Sequence, residues 1–263
     1  MYRIKLTDHL ILILGVLFLL LPIWVVFASS THRPETILSH GLQFWIGDYF
    51  RETYSAVLFD NTGFTEAVNA VLMLKNSLIL GLGFSIGKIL ISTIAAYAIV
   101  YFRFPAGGFF FWIIFSSLLL PLEVRIIPSY EVVSKLGMLN SYTGLILPLI
   151  ASATATFFFR QFYKSVPEEI LEAARIDGAG PFRFFVDILL PLSKTMIAAI
   201  FIIMFVVGWN QYLWPILMTT EESYFTVVMG IKQILNDLEG NRIPQYNKAL
   251  ALSFLAMLPP VMV

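Results

Sequence analysis

The run EEILEAARIDGAGPFRFFVDILLP, Glu168 to Pro191, is the most polar interval between the long apolar segments of the chain. Glu168, Glu169, Glu172, Arg175, Asp177, Arg183 and Asp187 all fall within it. Pro167 is suited to begin a helix, because its fixed φ matches the first turn and its missing N–H would have no intrahelical partner there. Acids then occupy the first turn, where the helix dipole favours negative charge. Ile170, Leu171, Ala174 and Ile176 give the helix one apolar side. Gly178-Ala179-Gly180-Pro181 breaks it, and a second short helix can begin at Pro181. The segment is predicted to be a helix–turn–helix outside a membrane, joining two membrane spans.

Composition agrees with that setting. Of 263 residues, 58% are hydrophobic and 13% charged, and the mean hydropathy is +0.81. A soluble domain carries about 25% charged residues. The formal net charge is zero, so electrostatics makes no case for nucleic acid. The absence of cysteine excludes disulfides and Cys-ligated metal sites. His9, His32 and His40 lack metal-ligand spacing.

The fold class expected is all-α, a polytopic membrane protein with six transmembrane helices. Leu10 to Ala28 is long for a signal-peptide core and no A-x-A site follows, so it is read as a retained first span. Residues 29 to 74 are polar and aromatic; Trp45, Tyr49, Phe50 and Tyr54 suggest short amphipathic pieces at an interface. Asn76 to Tyr101 is the second span, and its Gly81, Gly83, Ser85, Gly87, Ser92, Ala95 and Ala96 allow close helix approach in lipid. Its Gly87-Lys88 is not a nucleotide loop, because Leu82 stands where the first Gly belongs and Ile89 where Ser or Thr belongs. After a turn at Phe102-Arg103-Phe104-Pro105, the third span runs from Phe109 to about Leu122, bent or ended near Pro121. A short helix reaches Lys135. The fourth span covers Tyr142 to Phe159, closed by Arg160, and the fifth runs from Thr195 to Leu217. A polar stretch, Thr219 to Asn247, leads to a sixth span from about Lys248. That span is still apolar at Val263, so a short cytoplasmic tail is expected beyond it. With the N-terminus inside, the shorter inner segments hold as many Lys and Arg as the longer outer ones, a weak density bias toward that orientation.

The polar run also carries a recognisable pattern. Glu172-Ala173-Ala174, Gly178 and Ile188-x-Leu190-Pro191 stand at the spacing of the EAA loop, and the segment resembles that loop of ABC importer permease subunits. Phe102 to Pro105, Lys135 to Asn140, Arg160-Gln161-Phe162 and Trp209 to Pro215 extend the resemblance to maltose-permease-like carbohydrate importers, over about residues 70 to 260. Within that family, Leu120 to Ile126, Ala151 to Thr156 and Gly208 to Pro215 are similar to second permease subunits of sn-glycerol-3-phosphate importers. Sugar permeases more usually have neutral residues where Glu123 and Arg125 stand.

The resemblance implies one half of a translocation pathway for sn-glycerol-3-phosphate or a related glycerophosphodiester, with a neutral sugar or oligosaccharide as the alternative. It implies partners: a second, different permease, an ATPase dimer that binds ATP and Mg, a periplasmic or surface solute-binding protein, and membrane lipid. This chain would hold no cofactor and no ATPase site. Residues 1–74 would form the N-terminal span and periplasmic loop, and 75–263 the importer core with coupling loop 165–191. The location implied is the bacterial inner (plasma) membrane, multi-pass, with a cytoplasmic N-terminus. Glu172, Ala173, Ala174, Asp177, Gly178 and Pro181 would contact the ATPase, with both alanines against its cleft. The loop from Thr219 to Asn247, with a tip at Gly240-Asn241, would reach the binding protein.

Four residues are expected along the pathway. Lys88 lies roughly 18 Å from either end of the second span at 1.5 Å per residue, too far to snorkel. A charge at that depth must face protein, water or an anion. Arg125 lies further out and is suited to bidentate phosphate contact, unless Glu123 neutralises it. Asn210 and Gln211, amides inside an apolar span, are expected to hydrogen-bond across helices or to meet the substrate.

Overall fold

In the computed structural model, residues 6–60, 68–102, 104–236 and 245–263 are described. They are helical, without strands. Arg3, Lys5, Arg103 and the Gly240-Asn241 loop tip lie outside them. The chain forms two compact units, one of residues 1–76 and 221–263 and one of residues 77–220.

In the first unit, α1 (Leu6–Ser30) is a uniformly apolar helix with Pro22 inside it. α2 (Pro34–His40) and α3 (Phe50–Phe59) follow. α4 (Ala70–Tyr101) starts in this unit and continues into the second. It begins six residues earlier than hydropathy suggested, because Asn69 caps it, accepting the Leu72 amide at 3.0 Å. Asn76 is buried and donates to the Ser223 and Phe225 carbonyls at 2.8 and 2.9 Å. This amide is an internal brace rather than a span boundary. Buried hydroxyl and amide pairs hold α3, with Ser30 and Tyr54 at 2.9 Å and Asn247 donating to Thr53 at 2.9 Å. Burial pushes the Tyr54 phenol above its usual range.

In the second unit, each later span contains a break: the one expected near Pro121, and two that the apolar pattern concealed. α5 (Gly107–Ser116) ends in a short 3-10 turn, and the chain bends by 106° into α6 (Leu122–Lys135) at Pro121. The span expected over Tyr142 to Phe159 is two pieces, α7 (Tyr142–Ile146) with its 3-10 extension and α8 (Ala153–Ser165), bent by 48°. Ser152 makes that break by capping α8, accepting the Ala155 amide at 3.2 Å. Arg160 therefore does not close a span. It lies inside α8 with its guanidinium 3.8 Å from the Phe111 ring centroid.

The polar segment forms α9 (Glu168–Ile176), α10 (Pro181–Arg183), a π-helical turn over Phe184–Leu189 and α11 (Leu190–Leu192). A 72° bend at Ser193 leads to α12 (Lys194–Trp209). α12 ends at Asn210, and α13 (Leu213–Met218) is separate, so Thr195 to Leu217 is not one rod.

The stretch after Thr219 is less polar in effect than in composition. It contains α14 (Val227–Asn236), which buries Val227, Met229 and Ile234. α15 (Tyr246–Met262) follows, in the first unit, against α1, α2, α3 and α14. Two described helices are long and apolar enough to cross a membrane, or up to five if each bent pair counts as one span. α15, at 17 residues, is slightly shorter.

Glycines set the closest helix contacts, as the small residues of the second span suggested. A Cβ at Gly83 would lie 2.5 Å from Ile146, and one at Gly87 would overlap Ile150. Gly81 faces Phe205 and Gly208 faces Phe84, each at 3.0 Å.

Candidate functional site

The segment from Pro167 to Pro191 acquires its shape from local rules. Pro167 precedes α9 with β-like ψ, and Glu168 and Glu169 occupy the first turn. Gly178 has φ +75°, a left-handed conformation that costs glycine little. Ala179 N donates to Ala174 O at 2.9 Å and Gly178 N to Arg175 O at 3.0 Å, which is a Schellman closure.

Two tyrosines of α4 then fasten the segment. Tyr97 Oη donates to Pro181 O at 2.8 Å, and Tyr101 Oη donates to Tyr163 O at 3.3 Å. Their rings meet Phe184 and Phe185, with Tyr101 5.3 Å from Phe184 and Tyr97 4.8 Å from Phe185. Sequence reasoning missed this collar. Its only local trace is the i, i+4 spacing of the two tyrosines.

The two alanines have different surroundings. Ala174 is 3% exposed and packs into the chain's own core. It is not available to a partner's cleft in this structure, whereas Ala173 is exposed. Ile176 is 86% exposed, so it belongs to the outward face rather than the apolar inner side. Helical spacing does not put all four positions on one stripe: Ile170, Leu171 and Ala174 face inward, and Ile176 falls 200° from Ala174 at 100° per residue. Glu172, Ala173, Asp177, Gly178 and Pro181 are exposed together with Ile176 and Phe182. The outward surface thus mixes a carboxylate, small residues and two large apolar side chains.

A second feature lies within the same unit. A cavity of about 440 Å³ is lined by Lys88 and Ile91 of α4, Ser117 and Leu118 after α5, Arg125 of α6, and residues 151–154 with Thr156 at the start of α8. Lys88 Nζ is 3.5 Å from Ala151 O and 4.2 Å above the Phe84 ring centroid. Both partners are neutral. No carboxylate is among the described residues lining this cavity. The possible Arg125–Glu123 ion pair is not formed.

The four expected pathway residues therefore separate. Lys88 and Arg125 share the cavity, while Asn210 and Gln211 do not line it. Asn210 Nδ2 donates to Val206 O at 2.9 Å and Gln211 Nε2 to Val207 O at 3.2 Å. These bonds turn back to the last turn of α12, which corrects the expectation of bonds across helices. The break after Trp209 sends the Gln211 amide to Gly208 O at 3.3 Å and leaves Val207 O to the Gln211 side chain, while Val206 O accepts the Asn210 backbone amide as well. No group of three or more His, Cys, Asp or Glu able to hold a metal occurs among the described residues.

Comparison with known proteins adds to this geometry. Residues 88–261 match the family described as binding-protein-dependent transport system inner membrane component. The chain is 45% identical over 259 residues to the sn-glycerol-3-phosphate transport system permease protein UgpE of Brucella melitensis biotype 1, covering 98% of this chain and 91% of that protein. It is 47% identical over 255 residues to the protein of the same name from Yersinia pestis bv. Antiqua, covering 97% and 90%. A bacterial ABC transporter involved in the import of the acidic polysaccharide alginate has a chain of the same fold, with a TM-score of 0.81 at 21% identity, covering all of this chain and 97% of that one.

Proposed function

Because this chain belongs to the binding-protein-dependent transport system inner membrane components, we propose that it forms half of an ATP-driven import pathway for sn-glycerol-3-phosphate or a related glycerophosphodiester. The names of its relatives support that substrate. The observation that carries it on this chain is the cavity shared by Lys88 and Arg125, with no carboxylate among its described lining residues. An uncompensated cation at membrane depth is costly and is relieved by an anion. A phosphate group supplies the charge and the acceptor oxygens that Lys and Arg complement. Asn210 and Gln211 are assigned to the pathway as the rim of a broken helix, shaping a gate rather than binding phosphate.

The outward face of α9 and its turn is the ATPase-coupling surface. Glu172 offers a carboxylate to a partner cation, and Ile176 and Phe182 offer apolar area. Asp177, Gly178 and Pro181 fix the turn, Ala173 lies against the partner, and Ala174 holds the helix to its own unit. On this reading there are six spans: α1, α4, α5 with α6, α7 with α8, α12 and α15. The coupling segment and N-terminus are cytoplasmic. Residues 75–263 are the importer core, and residues 1–74 add a span and an outer segment. The remaining parts are a second, different permease, an ATPase dimer that binds ATP and Mg, and a solute-binding protein met by the loop before α15. Chemistry on ATP occurs in the partner, and this chain needs no cofactor.

The test is ATPase stimulation and uptake in the reconstituted complex against a panel of binding-protein ligands. sn-Glycerol-3-phosphate or a glycerophosphodiester is expected to stimulate both. Stimulation by neutral sugars alone would replace the phosphate reading with the sugar reading. Full activity of this chain without an ATPase subunit would refute the importer assignment.

A further inference from the structure

Between α2 and α3 the chain passes through Leu42-Gln43-Phe44-Trp45-Ile46 without regular structure. It displays its apolar side chains instead of burying them, with Leu42, Phe44, Trp45 and Ile46 exposed by 55, 58, 81 and 58%. A surface loop normally turns polar groups to water and keeps apolar ones inside. Here the polarity is reversed.

The backbone is bound to the last turns of α1 and to Thr31 and His32 just after it. Trp24 Nε1 donates to Phe44 O at 2.9 Å. Ser29 Oγ donates to Gln43 O at 3.2 Å and accepts from Gln43 N at 2.8 Å. A ring nitrogen of His32 is 2.9 Å from Trp45 O, and Gly47 N donates to Thr31 Oγ1 at 2.7 Å. The fit is close, since a Cβ on Gly47 would lie 2.6 Å from Thr31 O. Non-helical backbone next to hydrocarbon is tolerated only when protein satisfies its polar groups, and α1 supplies that satisfaction here.

The patch also continues an existing apolar surface. Only 6% of the hydrophobic window in α1 is buried, and its mean hydropathy is 3.1. Phe18 and Leu19 are exposed by 77 and 71%. From Trp24 to Ser29 the loop follows α1 over roughly 8 Å at 1.5 Å per residue. Aromatic side chains with a polar handle favour the headgroup level of a bilayer.

We propose that residues 42–46 are a preformed wedge seated at the boundary between lipid headgroups and acyl chains, where bilayer lipid is its partner and it fixes the depth of α1. The inference rests on α1 being a membrane span, as in the proposed function. It does not depend on substrate or on which side of the membrane the wedge lies.

The chain has no cysteine, so Trp45→Cys gives it one labelling site. The experiment is spin-label collision accessibility in the assembled complex in nanodiscs, the other subunits being made cysteine-free. Leu19→Cys serves as the lipid control and Ser39→Cys as the water control. A label at Trp45→Cys is expected to favour oxygen over a nickel chelate several-fold more than one at Ser39→Cys. Ile46→Cys, which spares the indole, is expected to agree. Chelate access equal to that of Ser39→Cys would overturn the wedge in favour of a solvent loop. Shielding from both reagents would overturn it in favour of a protein partner. If Leu19→Cys itself reads as water-exposed, the assignment of α1 as a span fails, which is a separate result.

Discussion

Glu172 and Lys88 each carry one charge within the same compact unit, under opposite conditions. Glu172 stands on an exposed face, and in the same polar segment the surface ion pair between Arg183 and Asp187 at 3.3 Å has side chains 71 and 57% exposed. Water screens such charges, and a pair of this kind contributes about 0–1 kcal/mol. Lys88 lies 13 residues before the end of a 32-residue apolar helix, against an aromatic ring and a carbonyl. In that lower dielectric each charge interaction is several-fold stronger. A charge on the exposed face can therefore change with little effect on folding, so under the proposed function its loss would report on the partner. A cation in the cavity would report on what passes through it.

That contrast breaks first at Lys88. Lys88→Met should lower uptake of phosphate-bearing substrate about 10- to 100-fold, the equivalent of about 1.5–3 kcal/mol for a charged hydrogen bond. Assembly should be unchanged by co-purification, and undiminished uptake would show that the cavity cation does not meet the substrate. The two alanines sharpen the same division by stability. Ala174→Leu should cost about 1–3 kcal/mol by overpacking a filled contact, while Ala173→Leu should stay within about 0.5 kcal/mol. Thermal unfolding of the purified complex measures both, and equal losses would contradict the inward and outward assignment. Glu172→Lys should reduce uptake per ATP hydrolysed about tenfold, by roughly 1.4 kcal/mol of lost charge-assisted contact. Its melting temperature should not move, and a parallel fall would make Glu172 structural. The smallest effect belongs to Arg183→Ala, expected within about 0.5 kcal/mol in the same unfolding assay.

The shape of the segment from Pro167 to Pro191 was legible because its determinants are neighbours. Pro167, the first-turn acids, Gly178 and Pro181 each act on backbone within one turn, and α9 begins and ends where they require. Ile176 was misplaced because an apolar residue at the end of a short helix need not join its inner stripe. The cavity was legible only in part. Lys88 and Arg125 could be singled out as charges in apolar surroundings, but residues 151–156 join them through tertiary packing that no spacing encodes. The broken spans were hidden for another reason. Ser152 and Asn210 interrupt helices inside runs whose average hydropathy stays high, so the capping chemistry is locally present but overwhelmed in the average. Tyr97 and Tyr101 read as two more aromatics at the end of a span until their hydroxyls were seen on the Pro181 and Tyr163 carbonyls.

The glycines at 81, 83, 87 and 208 work as clearance gauges. At each, a side chain of another segment rests where a methyl group would have to go, Ile146 at Gly83, Ile150 at Gly87, Phe205 at Gly81 and Phe84 at Gly208. A machine that alternates between two arrangements opens some of its contacts and keeps others shut. A methyl group added at a contact that opens would penalise only the closed arrangement and shift the population toward the other. One added at a permanent contact would penalise both and merely weaken the fold. Four alanine substitutions, each read for stability and for resting ATPase rate, would thus sort the moving seams from the fixed ones without any label or ligand.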